Sequence, residues 1–162
     1  MPPLIGKALG SMGFSFFRPR RFKPAFPIVP LQSGEEEARE LLAAHASVAD
    51  VDPGSDSTIA HHCLVADDGI TRVTAGIWDG RVRFMNYLTE QFNDSSKRKM
   101  EKLRWFVDHY GGRDEFDDPQ DTGYMIFWRN PVRKIMIVFG LHMGPVRIID
   151  QDDSLFSDDS ND

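Results

Sequence analysis

His61, His62 and Cys63 stand side by side and carry the side chains of this sequence best suited to hold a metal or attack a substrate. On an extended strand, however, His61 and Cys63 point to one face and His62 to the other, so no more than two of them can share an ion. A zinc site takes three or four ligands at about 2.0 to 2.3 Å, and His109 and His142 stand in other elements at no recognisable metal-ligand spacing. No metal and no cofactor is therefore expected. Cys63 as nucleophile with His142 as base would need a local signature and an orienting third group, and the sequence supplies neither. The phosphate loop, the dinucleotide-binding glycine pattern, the nucleophile elbow and the paired-histidine zinc-protease motif are missing as well. The thiol is read as a small buried group on a strand and the histidines as structural or solvent-facing, with no catalytic residue assigned. A small hydrolase-type enzyme using His61, His62, Cys63 or His142 with nearby carboxylates is the alternative.

Charge offers a second kind of chemistry. Asp114, Glu115, Asp117, Asp118 and Asp121 crowd one loop without the one, three, five and twelve spacing of a calcium loop. Clustered carboxylates on a rigid scaffold create a negative field that steers and docks a basic partner. Lys97, Arg98 and Lys99, with Lys102 beyond them, open a helix at the end where its dipole is already positive, an arrangement that an anion would relieve. The first 30 residues carry +5 and no acid, and 150–162 carry −6 and no base, so the ends attract each other within a chain of net charge −6. In the basic end Arg18, Arg20 and Arg21 alternate with phenylalanines, Phe22 among them, and Pro19, Pro24, Pro27 and Pro30 prevent the amphipathic helix of a transit peptide. An extended arm lying on the domain or on a partner is expected, since its phenylalanines are costly to leave in water.

The elements that must position these groups are legible from turns and periodicity. Ser33 is placed to cap a first helix that opens with Glu35, Glu36 and Glu37 and continues through Leu41, Leu42 and Ala44. A strand from Thr58 to Ala66 turns at Asp67-Asp68-Gly69 into Ile70 to Trp78, and Asp79-Gly80 turns that into Arg81 to Leu88. Asp94 and Ser95 cap a second helix whose stripe is Met100, Leu103, Phe106, Val107 and Tyr110, stopped by Gly111-Gly112. The runs Tyr124 to Trp128 and Ile135 to Phe139 are apolar at every position, which predicts central strands buried on both faces. Val146 to Ile149 forms a short last strand, and no fixed-period repeat is present.

The expected fold is therefore α+β: a single domain with a mainly antiparallel sheet of five or six strands and two helices, in the order α-β-β-β-α-β-β and one further short strand. Residues 1–32 form the arm, 33–149 the domain and 150–162 an acidic tail. With 41% hydrophobic and 27% charged residues the chain has a globular composition, and no run nears the about 18 to 20 apolar residues of a membrane span. A single cysteine suits a reducing compartment, read as cytoplasmic. Type III secretion chaperones and several bacterial toxin-neutralising proteins have similar element orders, although order alone carries no function. The expected function is a small protein-binding domain of the toxin-neutralising (immunity) or secretion-chaperone kind. It acts by surface occlusion on another protein, a basic toxin or secreted effector. Partner contacts are assigned to Asp114, Glu115, Asp117, Asp118, Asp121, Arg18, Arg20, Arg21 and Phe22, and anion contacts to Lys97, Arg98 and Lys99. Nucleic-acid binding through the arm and second helix is a further alternative that the net negative charge opposes.

Overall fold

The computed structural model describes residues 24–89, 101, 104–106, 108–111, 113–140 and 146–152. The chain forms helix α1 (Glu35–Ala43) and strands β1 (Val48–Val51), β2 (His62–Asp67), β3 (Thr71–Trp78), β4 (Arg81–Thr89), β5 (Gln120–Asp121), β6 (Met125–Asn130), β7 (Ile135–Gly140) and β8 (Val146–Asp150). All eight strands join one antiparallel sheet in the order β1-β2-β3-β4-β8-β7-β6-β5. Residues 101, 104–106 and 108–109 are helical. The molecule is thus mainly β with minor α, and eight strands replace the expected five or six.

The chain traces one path twice, because each half runs from helical residues into a four-strand meander, and the halves meet along their last strands, β4 and β8. The repeat is one of topology, since no periodic sequence accompanies it. No helix among the described residues is long and apolar enough to cross a membrane.

Turn chemistry sets the first meander. Asp79 and Gly80 both have positive φ, 50° and 74°, the backbone that joins twisted strands with a two-residue turn. Before β3, Asp68 Oδ1 accepts the Ile70 and Thr71 N–H groups at 2.8 and 2.7 Å and closes the three-residue loop 68–70. Those amides, Thr71 first, hold the Asp68 carboxyl below its ordinary range. Gly76 pairs with Phe84 while Ile77 pairs with Val82, which leaves Arg83 as the extra residue of a bulge. The Phe84 ring lies where a Gly76 side chain would begin, so glycine is required by close approach.

One face of the sheet is closed. Ala38 and Leu42 from α1, Phe26 and Val29 from the segment before it, and Phe106 and Tyr110 pack on strand residues that include Leu64, Ile77, Met85, Tyr87, Ile137, Phe139 and Ile148. Val29 is held through both of its backbone polar groups: its N–H donates to the Tyr87 hydroxyl at 3.3 Å, and its carbonyl accepts the Tyr110 hydroxyl at 3.0 Å. Because the single Tyr110 proton is spent on Val29, the 3.2 Å contact between the two hydroxyls has Tyr87 as donor. Packing therefore reaches Phe26, within the span assigned to the arm, and Asp150, at the start of the assigned tail, is the buried end of β8 and accepts the Gln32 amide at 2.6 Å.

Several sequence expectations are corrected. Ser33 does not cap α1: Gly34 is its N-cap, without a side-chain bond, and the Ser33 hydroxyl donates to the Pro30 carbonyl at 2.6 Å. Thr58 and its neighbours form a turn after a short 3-10 segment, Gly54–Asp56, so β2 begins only at His62. β6 and β7 are not the centre, which belongs to β4 and β8; they lie toward the β5 edge. β7 alternates buried and half-buried positions, so its Met136 and Val138 face the less covered side. The expected cap and first turns of the second helix, arm residues 1–23 and tail residues 153–162 lie outside the described residues.

Gly76→Ala should lower stability by about 1–3 kcal/mol in denaturant unfolding, and Phe84→Ala should abolish most of that increment by removing the ring it meets. Burial pushes the Tyr87 hydroxyl up to about 12 and the Tyr110 hydroxyl well above its ordinary value. The unfolded chain releases both protons at about pH 10, so this stabilisation is complete below that pH and lost as pH rises through the folded values. Tyr110→Phe should cost about 1–3 kcal/mol at neutral pH, by orphaning the Val29 carbonyl, and flatten the alkaline fall measured by thermal unfolding.

Candidate functional site

Three polar constellations stand apart from the core. The first joins α1 to the β1 edge. Glu35 opens the helix, Arg39 follows at four residues, Asp50 lies on β1, and His62 begins β2. Register pairs Asp50 with Leu64 and His62 with Ile77, so both project on the α1 side of the sheet. Arg39 Nη2 donates to Glu35 Oε1 at 2.9 Å and to Asp50 Oδ1 at 2.6 Å, and Nη1 donates to Asp50 Oδ2 at 3.2 Å. His62 Nε2 donates to the same Glu35 oxygen at 2.7 Å. The His62 bond first, and Arg39 with it, holds the Glu35 carboxyl below its usual range; Arg39 does the same for Asp50. One donor atom each from Glu35, Asp50 and His62 lie within 4.8 Å of one another, the set among the described residues whose geometry suits a metal.

The second constellation lies on the opposite face. Arg147 of β8 forks onto Asp56, with Nη1 to Oδ1 at 3.1 Å and Nη2 to Oδ2 at 2.6 Å, while Nε donates to Asn86 Oδ1 at 2.8 Å. Its guanidinium lies 4.7 Å over the Phe84 ring. This two-point fork carries geometric specificity that a lysine would lack. It ties down the 3-10 segment, behind which Ala60, Cys63 and Phe84 form a small buried cluster flanked by Ile59 and Ile149.

The third is the acidic loop. Asp114, Asp117, Asp118 and Asp121 are exposed, and Tyr124 beside them is 79% exposed, with Met125 at 44%. Glu115 differs from its neighbours. Its Oε2 accepts Asn130 Nδ2 at 3.0 Å and Arg133 Nε at 2.8 Å, which anchors the loop to the turn between β6 and β7. Asp121 Oδ1 accepts the Gly123 N–H at 2.8 Å and shapes the β5–β6 turn. Asp114, Asp117 and Asp118 have no ion-pair partner among the described residues.

The histidine-cysteine run is dispersed. His61 precedes β2, stacks on Trp78 with ring centroids 4.0 Å apart and accepts the Asp79 N–H at its Nδ1 at 3.3 Å. His62 turns to Glu35, and Cys63 turns to the other face into the Ala60 and Phe84 cluster. Burial pushes the Cys63 thiol up, against the lowered value an activated thiolate needs. Arg18, Arg20, Arg21, Phe22, Lys97, Arg98, Lys99 and His142 lie outside the described residues.

Sequence reasoning missed the Glu35, Arg39, Asp50 and His62 group and the Arg147 fork. The Glu35–Arg39 spacing of four on a helix is a readable signal for one pair. Nothing local announces that Asp50 or His62 joins it, because β1 is a four-residue strand exposed at three of its positions. Comparison of the chain with known protein families, curated proteins and solved structures gives no match.

Arg147→Ala should detach the segment around Asp56 from β8. The Cys63 thiol should then react at least about tenfold faster with a disulfide reagent, an acceleration that Asp56→Ala reproduces and that the double variant does not exceed.

Proposed function

We propose that the protein is a small cytoplasmic protein-binding domain, of the toxin-neutralising or secretion-chaperone kind, that occludes a basic surface of its partner with the β5 edge. The observation that supports this reading is the combination of Asp114, Asp117 and Asp118, without ion-pair partners among the described residues, with the exposed Tyr124 ring on one border of the sheet. Carboxylates without resident cations leave a field free to attract lysine and arginine from a distance. Tyrosine supplies a rigid apolar contact with a polar tip and is over-represented among residues that dominate binding energy. Glu115, bonded to Asn130 and Arg133, fixes the loop so that this charge is presented from a preformed surface.

Isolation of the partner from the native host, followed by association kinetics at low and moderate salt, tests the reading. A basic partner is expected, with an association rate that falls as salt rises. Reversal of Asp114, Asp117 and Asp118 to Lys should slow association by about tenfold or more at low salt, with stability within about 0.5 kcal/mol of the parent. Tyr124→Ala should mainly speed dissociation. An association rate that the triple reversal leaves unchanged at low salt excludes steering by this edge.

A further inference from the structure

We propose that Glu35, Asp50 and His62 form a binding site for a divalent cation of the Zn²⁺ class, in which Arg39 is the exchangeable counter-ion. This stands apart from partner docking, since the group lies by β1, at the border of the sheet opposite β5.

Two carboxylates and one imidazole, each from a different element, converge so that one ligand atom from each lies within 4.8 Å of the others. Three ligands bonded at about 2.0 to 2.2 Å around one tetrahedral ion stand about 3.3 to 3.6 Å apart, so rotation of these partly exposed side chains by up to about an ångström closes the shell. Imidazole with carboxylate suits a borderline cation better than a hard one such as calcium, which favours oxygen alone.

The charges fit as well. Two carboxylates at this separation repel unless a cation lies between them, and in the structure that cation is the Arg39 guanidinium. Arg39 is a poor match to the full donor set, because a guanidinium carries a single charge against two carboxylates and, among the described residues, bonds Glu35 and Asp50 but not His62. Among the described residues no hydrogen bond reaches Glu35 Oε2, so the carboxylate holds acceptor capacity that Arg39 and His62 leave unused. A divalent ion uses all three donors and neutralises both acids. His62 then binds through the same Nε2 that now donates to Glu35, with its proton carried on Nδ1 or released. Displaced Arg39 has Glu36, exposed and three residues earlier on the helix, as a neighbouring carboxylate. The remaining positions are open to water or to a ligand from outside, the arrangement of a site that does more than fasten a fold.

Calorimetric titration of the full chain with ZnCl₂ in a non-coordinating buffer tests the proposal, with Co²⁺ absorption as a second readout of imidazole and carboxylate ligation. Saturable one-to-one uptake is expected. His62→Ala and Asp50→Asn should each weaken it by at least about tenfold, or about 1.4 kcal/mol. Arg39→Ala should tighten it several-fold, an effect opposite to that of removing a structural cation. His45→Ala, His61→Ala and Asp117→Asn should leave it unchanged, which separates this site from adventitious uptake by other histidines or acids. Circular dichroism of each variant checks that the fold is kept. Absence of saturable uptake by both the parent chain and Arg39→Ala overturns the proposal, as does uptake that survives His62→Ala intact.

Discussion

The pairing of β4 with β8 is the constraint on which the rest of the molecule depends, because it is the ladder that fastens one meander to the other. Its register, Phe84 with Ile149 through Tyr87 with Val146, sends Met85, Tyr87, Val146 and Ile148 into the closed face and Asn86 and Arg147 to the other. A slip of one residue would drive the Arg147 guanidinium into the apolar interior and turn Ile148 out. Burying that charge without its Asp56 partner would cost several kcal/mol, so polarity specifies the register as firmly as apolar area does. The same strand pair receives the tie from the N-terminal side, since Tyr87 and Tyr110 together hold the Val29 N–H and carbonyl. Segment, sheet centre and Tyr110, just past the helical residues, thus share one buried hydroxyl chain whose members each have a partner.

Much of the first meander was legible. Asp79-Gly80 demands positive φ at two successive residues, and that demand is local, so the hairpin can be read without knowing what it packs on. β1 and β5 were not legible for the opposite reason. Val-Ala-Asp-Val is largely exposed and Gln-Asp is wholly so, and such edge strands exist because a neighbour offers its backbone groups, not because their own side chains alternate. The apolar runs of β6 and β7 misled in another way. A half-buried residue on the second face looks, in sequence, like a fully buried one, and Met136 and Val138 are of that kind. The duplicated path was hidden because topology can repeat where sequence does not.

The polar groups divide along the same line. Strand alternation foretold that His62 and Cys63 must part, and they do, to opposite faces. It could not foretell that Glu35, read as one of three acids favourable to a helix dipole, would meet His62 from 27 residues away. The capping role expected of Ser33 fell to Gly34 because the chain there is held by the sheet: Gln32 N–H donates to the Val82 carbonyl, and Glu35 N–H to the Gly80 carbonyl. A free helix end needs a side-chain cap, whereas one docked on a hairpin takes its acceptor from the turn.

Both borders of the sheet end in acid, Asp50 with Asp52 at β1 and Asp121 with the 114–118 loop at β5. Edge strands with free backbone groups invite pairing with another chain, and short, charged edges resist it. A second copy of this protein would bring the same negative border to the β5 edge and be repelled, whereas a basic surface would be drawn in there. At β1 the acid is already answered by Arg39, so the attraction there is spent within the molecule. At β5 Glu115 is answered by Arg133 but Asp114, Asp117 and Asp118 have no ion-pair partner among the described residues, and on this physical ground different work is proposed for the two edges: for the first a small cation that can displace one side chain, for the second a macromolecule that displaces none.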